Sequence, residues 1–158
     1  MKLSFLQIGK TEPNYISEGT KIYSERIKHY TTFDILSLKD IKKRDKSTDA
    51  GQIKKIEGVE ILKTISKDDF VILLDEKGKE YSSLEFAVFI KNKMNTGCKE
   101  MVFVSGGSYG FSEDVYKRAN EQISLSKLTF SHQMVRLIFL EQLYRAFTII
   151  KGEPYHHG

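Results

Sequence analysis

The amino-acid sequence predicts an α/β fold, a mostly parallel sheet flanked by helices, in one domain spanning residues 1–158. Two runs, Phe70–Leu74 and Met101–Val104, are continuously apolar, which is the pattern of strands covered on both faces. Stretches with apolar residues at helical spacing separate the strand-like runs, and a glycine-rich turn leads from the second run into another helix. Strands alternating with crossover helices build a parallel sheet with helices on its faces.

Lys2–Ile8, closed by Gly9, reads as the first strand. From Asn14 to Tyr30, the residues Tyr15, Ile16, Tyr23, Ile27 and Tyr30 recur among charges and predict an amphipathic helix. Phe33–Leu38 is a second strand. The basic segment Lys39–Lys46 after it has little to bury and is expected on the surface. Helical spacing of Ile53, Ile56, Val59, Leu62 and Ile65 predicts a helix over Asp49–Ser66, and Asp69 and Asp75 bound the strand Phe70–Leu74. Ser82 and Glu85 have the spacing of a capping box, in which hydroxyl and carboxylate satisfy free backbone N–H groups at the start of a helix reaching about Asn95. After Met101–Val104 come the turn Gly106–Gly110, a short helix from Ser112 to about Glu121, and a last strand or loop over Ile123–Phe130. Met134, Val135, Leu137, Ile138, Leu143, Tyr144 and Phe147 line a final helix.

With 40% hydrophobic and 29% charged residues the chain can bury a core and is not a disordered segment. Its net charge of +4 permits a polyanionic partner without requiring one. One cysteine, Cys98, excludes an internal disulfide framework and suits a reducing cytoplasm, where a small buried hydrophobe is expected. The apolar stretch at the start is too short for a signal sequence, and no run approaches the roughly 18 apolar residues of a membrane span. The expected location is cytoplasmic, with no membrane partner.

In an open parallel sheet, ligands collect beyond the carboxyl ends of the strands, where loops and helix N-termini converge. Leu73-Leu74-Asp75 and the Gly106–Gly110 turn both end at that edge. The glycines let a ligand approach the backbone, whose N–H and C=O groups can read a nucleobase or ribose; a tight turn without a ligand uses them equally well. Their spacing departs from G-x-G-x-x-G, and G-x-x-x-x-G-K-[ST] is absent, so neither a dinucleotide-binding dehydrogenase nor a P-loop nucleotide hydrolase is supported. Glu141 and Arg145 stand at i,i+4, a pairing that stabilises any exposed helix. The chain closes on the aromatic and imidazole cluster Tyr155-His156-His157. Adjacent histidines alone make a poor metal site, since zinc takes three or four ligands, and no metal is expected.

These segments together resemble the SPOUT-class ribosomal RNA large subunit methyltransferase H family along the whole chain. The residues that carry the likeness are Met1-Lys2-Leu3 with Ile8-Gly9-Lys10, Leu73-Leu74-Asp75 with Gly78-Lys79, and Gly106-Gly107-x-x-Gly110. They continue in Leu125-Ser126-x-Leu128-Thr129, His132-x-x-Val135-Arg136, Glu141-Gln142-Leu143-Tyr144-Arg145-Ala146 and Tyr155-His156. The resemblance implies a deep trefoil knot near the C-terminus, a homodimer with its sites at the subunit boundary, and methylation of N3 of a pseudouridine in large-subunit rRNA on the assembled ribosome. It places an S-adenosylmethionine site on Leu74, Gly106, Leu125, Ser126, Lys127, Leu128, Thr129 and Phe130. Two departures stand out. Ser105 takes a position that is usually aliphatic in the family, and His157-Gly158 replaces the common terminal arginine or lysine after Tyr-His.

Methyl transfer to an imide nitrogen needs the loss of one proton and in-line placement of the donor. His156 is the expected base and Tyr155 the expected platform for the target base, with Glu141 and Arg145 as active groups or as a pair that orients the tail. Attraction of RNA is assigned to Lys42, Lys43 and Arg44 of the basic segment together with Arg136, Arg145 and Lys151. The alternative is a non-catalytic RNA-binding factor of the ribosome with the same fold.

Overall fold

The computed structural model describes residues 1–41 and 49–158. Five strands, β1 (Lys2–Ile8), β2 (Thr32–Leu38), β3 (Phe70–Glu80), β4 (Glu100–Ser105) and β5 (Glu121–Ser124), form one sheet in the order β2-β1-β4-β3-β5. Every adjacent pair among them is parallel. The helices α1 (Asn14–Lys28), α2 (Ala50–Thr64), α3 (Ser83–Met94), α4 (Glu113–Arg118) and α5 (His132–Ile150) complete three layers.

Side chains alternate across each strand, so a continuously apolar run feeds two cores at once. Leu3, Phe5, Ile72, Leu74, Met101 and Phe103 face α1, α3 and α5, where Ile27, Phe86, Ile90, Phe139 and Phe147 meet them. Phe139 of α5 lies at the centre, its ring 5.0 Å from that of Phe5 and 4.7 Å from that of Phe103. Leu6, Ile8, Val71, Leu73, Val102 and Val104 face the opposite side, against Ile61 of α2 and Val115 of α4.

Side chains rather than propensity start most of the helices. Ser82 and Glu85 form the expected capping box of α3, and Asp49 with Gln52 forms a second at α2. Ser131 accepts from the Met134 N–H at 3.2 Å and starts α5. Three boundaries differ from the sequence expectation, the first being α4, which ends at Arg118 and not near Glu121, where β5 already begins. β3 runs on past Leu74 to Glu80, because after an irregularity it pairs again with β5 through Lys79 and Glu80. β5 ends at Ser124, and residues 125–131 have no regular structure.

Arg136 requires a correction. It was expected to attract RNA, yet it is fully buried. Its Nη2 donates to the Ile8 carbonyl at 2.5 Å and its Nη1 to Thr11 Oγ1 at 3.0 Å, which ties α5 to the end of β1. Burial lowers its pKa, with Asp40 and Glu12 opposing. Its Nε has no partner among the described residues, but at 0% exposure the guanidinium does not face a phosphate from outside.

Candidate active site

Beyond the carboxyl ends of β3, β4 and β5 lies a cavity of about 720 Å³, within the range of small-molecule and cofactor sites. Three chain segments wall it: the end of β3 at Leu74 and Asp75, the turn from Ser105 to Phe111, and the irregular segment after β5. Of the residues expected to hold S-adenosylmethionine, Leu74, Gly106, Leu125, Ser126, Leu128, Thr129 and Phe130 line this one space. Lys127 is exposed and does not.

Local chemistry shapes each wall. Ser124 Oγ donates to the Ser126 carbonyl at 2.9 Å, and Ser126 Oγ accepts from the Leu128 N–H at 3.0 Å, so two hydroxyls hold the segment bent without strand pairing. Leu128 is left 74% exposed, an apolar side chain at the rim. In the glycine turn, Gly110 has φ +80°, a backbone region that L side chains rarely adopt. Ser105, at the end of β4, is buried and paired in register with Leu74, so the small polar residue fits without opening the sheet. Asp75 accepts from the Lys77 N–H at 2.8 Å and from the Tyr116 hydroxyl. Burial and that bond raise the Tyr116 pKa.

The expected catalytic residues form a second cluster on α5 and the tail, beside Tyr23 of α1. Arg145 Nη2 pairs with Glu141 Oε1 at 2.5 Å, and that bond raises the Arg145 pKa. Tyr155 donates to the same carboxylate oxygen at 3.0 Å, and the Arg145 guanidinium lies 4.8 Å from the centre of its ring. Burial, then bonds to Tyr23 and Glu141, raise the Tyr155 pKa. Arg145 Nη1 stands 3.3 Å from His156 Nδ1. A guanidinium has only donors, so Nδ1 serves as the acceptor and a neutral ring carries its hydrogen on Nε2.

None of the four lines the cavity. His132 at the start of α5 does, and Glu141 follows nine residues later, about 13 Å along the helix axis. Lys151 is exposed just past α5. Lys42, Lys43 and Arg44 fall outside the described residues. Among the described residues no group of three or more His, Cys, Asp or Glu is placed to hold a metal, and no helix is long and apolar enough to cross a membrane.

The sequence reading missed Glu57. It is 4% exposed on the inner face of α2, and its Oε2 has no hydrogen-bond partner among the described residues. Burial, assisted by Asp40, raises its pKa to about 7. A signal was present, since Ile53, Glu57 and Ile61 follow one another at i,i+4,i+8 and put a carboxyl where helical spacing calls for an apolar residue.

The chain is thus a parallel α/β protein with a cofactor-sized cavity walled by a glycine turn and an irregular C-terminal segment. A family model described as "Predicted SPOUT methyltransferase" matches residues 1–156, and the chain belongs to that family. It is 55% identical over 157 residues to the ribosomal RNA large subunit methyltransferase H of Christiangramia forsetii, with 99% of each chain covered. The proteins of the same description from Parabacteroides distasonis and Bacteroides thetaiotaomicron are each 52% identical, again with 99% of each chain covered. Among solved structures, a tRNA methyltransferase from Aquifex aeolicus superposes with a TM-score of 0.57 at 15% identity, over all of this chain and 76% of the other, a likeness of fold.

Proposed function

We propose that this chain methylates large-subunit ribosomal RNA with S-adenosylmethionine, at N3 of a pseudouridine on the assembled ribosome, in the cytoplasm and as a homodimer. One observation carries the reading: seven residues from three separated segments, Leu74, Gly106 and five between Leu125 and Phe130, converge on one cavity of cofactor size. The walls suit the cofactor, since the glycine turn offers backbone to a nucleoside and Leu74, Leu125 and Phe130 offer apolar surface. When bound, S-adenosylmethionine supplies a methyl group on a sulfonium, which needs no activation by the protein.

What remains for the protein is to orient the target base and take its N3 proton. His156 takes that proton on Nδ1, the ring nitrogen now facing Arg145, so the tail has to leave Arg145 before it can act. Tyr155 packs on the base, while Glu141 and Arg145 hold the tail ready in the absence of RNA. The distance along α5 between cavity and tail cluster supports a site completed by a second copy, whose tail reaches the cavity of the first. Lys151, Lys42, Lys43 and Arg44 draw in the RNA backbone.

Incubation of ribosomes lacking the modification with the protein and labelled donor, followed by mass spectrometry of rRNA fragments, tests this reading. One added methyl group on a single pseudouridine of the large-subunit RNA is the expected result. Donor binding without any label in RNA would favour a non-catalytic factor.

A further inference from the structure

Among the described residues, Glu57 holds the one buried carboxyl oxygen without a hydrogen-bond partner, its Oε2. Its side chain rises from α2 beneath the glycine turn, so close that a Cβ on Gly107 would fall 2.8 Å from both of its oxygens. Gly107 lines the cavity, and so does Lys54, one turn earlier on the same helix. The neighbouring Gly58 packs closely against Ser112, the N-cap of α4, and Val115, which holds α2 against the start of that helix. Buried polar atoms are almost always hydrogen-bonded, yet Glu57 Oε2 is not, and an unsatisfied carboxyl packed under a ligand-binding turn points to a role in binding.

We propose that Glu57 is the counter-charge held in reserve for the cationic group of the methyl donor, ionising beneath the glycine turn as the donor binds and reverting to the neutral acid when the site empties. This rests on the reading that the cavity takes S-adenosylmethionine. Without ligand, Asp40 is the charged neighbour that disfavours a second negative charge, while Lys54 of α2 and Lys77 of β3 are cations of the cavity wall. A cation in the cavity reverses the balance, because attraction across a poorly solvated turn is weakly screened. Because burial raises the Glu57 pKa to about 7, donor binding near neutral pH then releases a fraction of a proton to solvent. The affinity for donor falls as pH drops below that point.

Isothermal titration of the intact protein at pH 7, in buffers of different ionisation enthalpy, reads the proton count directly. S-adenosylmethionine is expected to release a measurable fraction of a proton, Glu57→Gln to bind it with no release, and 5′-methylthioadenosine, which has neither sulfonium nor ammonium, to bind without release. S-adenosylhomocysteine, which keeps only the ammonium, distinguishes the two cations: release with it assigns the charge to the ammonium, and none assigns it to the sulfonium. Donor binding without proton release, equal release by Glu57→Gln, or equal release with methylthioadenosine would each overturn the inference and leave the methyltransferase reading intact. Absence of any donor binding would overturn both. Should Glu57→Gln fail to fold, the absence of release with the donor, or equal release with methylthioadenosine, on the unaltered protein still overturns the inference.

Discussion

At the scale of single residues, the buried arginine and the tail histidine make opposite predictions. Arg136 satisfies the Ile8 carbonyl and Thr11 from inside the protein. Arg136→Ala removes a large buried side chain and its bonds, and should cost about 3 kcal/mol of stability in urea denaturation. Ribosome binding of the folded fraction should keep its salt dependence, which a lost phosphate contact would lower. His156, by contrast, is tethered through Arg145 at the surface of α5. His156→Ala should leave donor affinity and thermal stability near the unaltered values while turnover falls about 100-fold or more. A rate within a few-fold of the unaltered protein would remove His156 as the base. From the sequence, Arg136 looked like one more cation because composition and spacing carry no measure of burial; only its place where α5 crosses the end of β1 decides its role.

At the scale of elements, the site is built by loops that the sheet holds in register, and the turn over Glu57 is the most demanding of them. Gly107→Ala would push a methyl group into the Glu57 carboxyl, so the turn has to shift. Donor affinity should drop at least tenfold, about 1.4 kcal/mol, while unfolding stays cooperative. Unchanged affinity would mean that the turn does not touch the ligand. The strands β1, β2 and β4, the capping box of α3 and the presence of α5 were legible because hydrophobic period and cap chemistry are local signals. The continuation of β3 to Glu80 was not, because Lys79 and Glu80 are polar and are strand only through their pairing with β5. The end of β5 was equally hidden, since Leu125–Phe130 has strand-like composition but Ser124 and Ser126 bend it by side-chain bonds. Glu57 could have been found at this scale, as the charged residue between Ile53 and Ile61 on the core face of α2.

At the scale of the whole molecule, one chain carries a cavity at one end of α5 and a tail cluster farther along it, and the proposed dimer brings the two together. Mixing two inactive variants, one ending at Glu153 and one with the cavity blocked by Gly106→Trp, tests this directly. Random reassortment makes half the dimers mixed, each with one complete site, so about a quarter of full activity should return. No recovery, with mixed dimers present, would place the whole site in one chain. The knot and the pairing of subunits have no local signature, because hydropathy records what is buried and not the order in which the chain threads. They entered through resemblance, whereas the parallel sheet came from the apolar runs themselves.

The central claim is that the cavity beyond β3, β4 and β5 holds a methyl donor. A crystal structure of the protein with S-adenosylmethionine measures this most directly. The account predicts the adenosyl group within the cavity, against Leu74, Gly106 and the bent segment from Leu125 to Phe130. Donor bound elsewhere, or a cavity still free of it at saturating concentration, would contradict it.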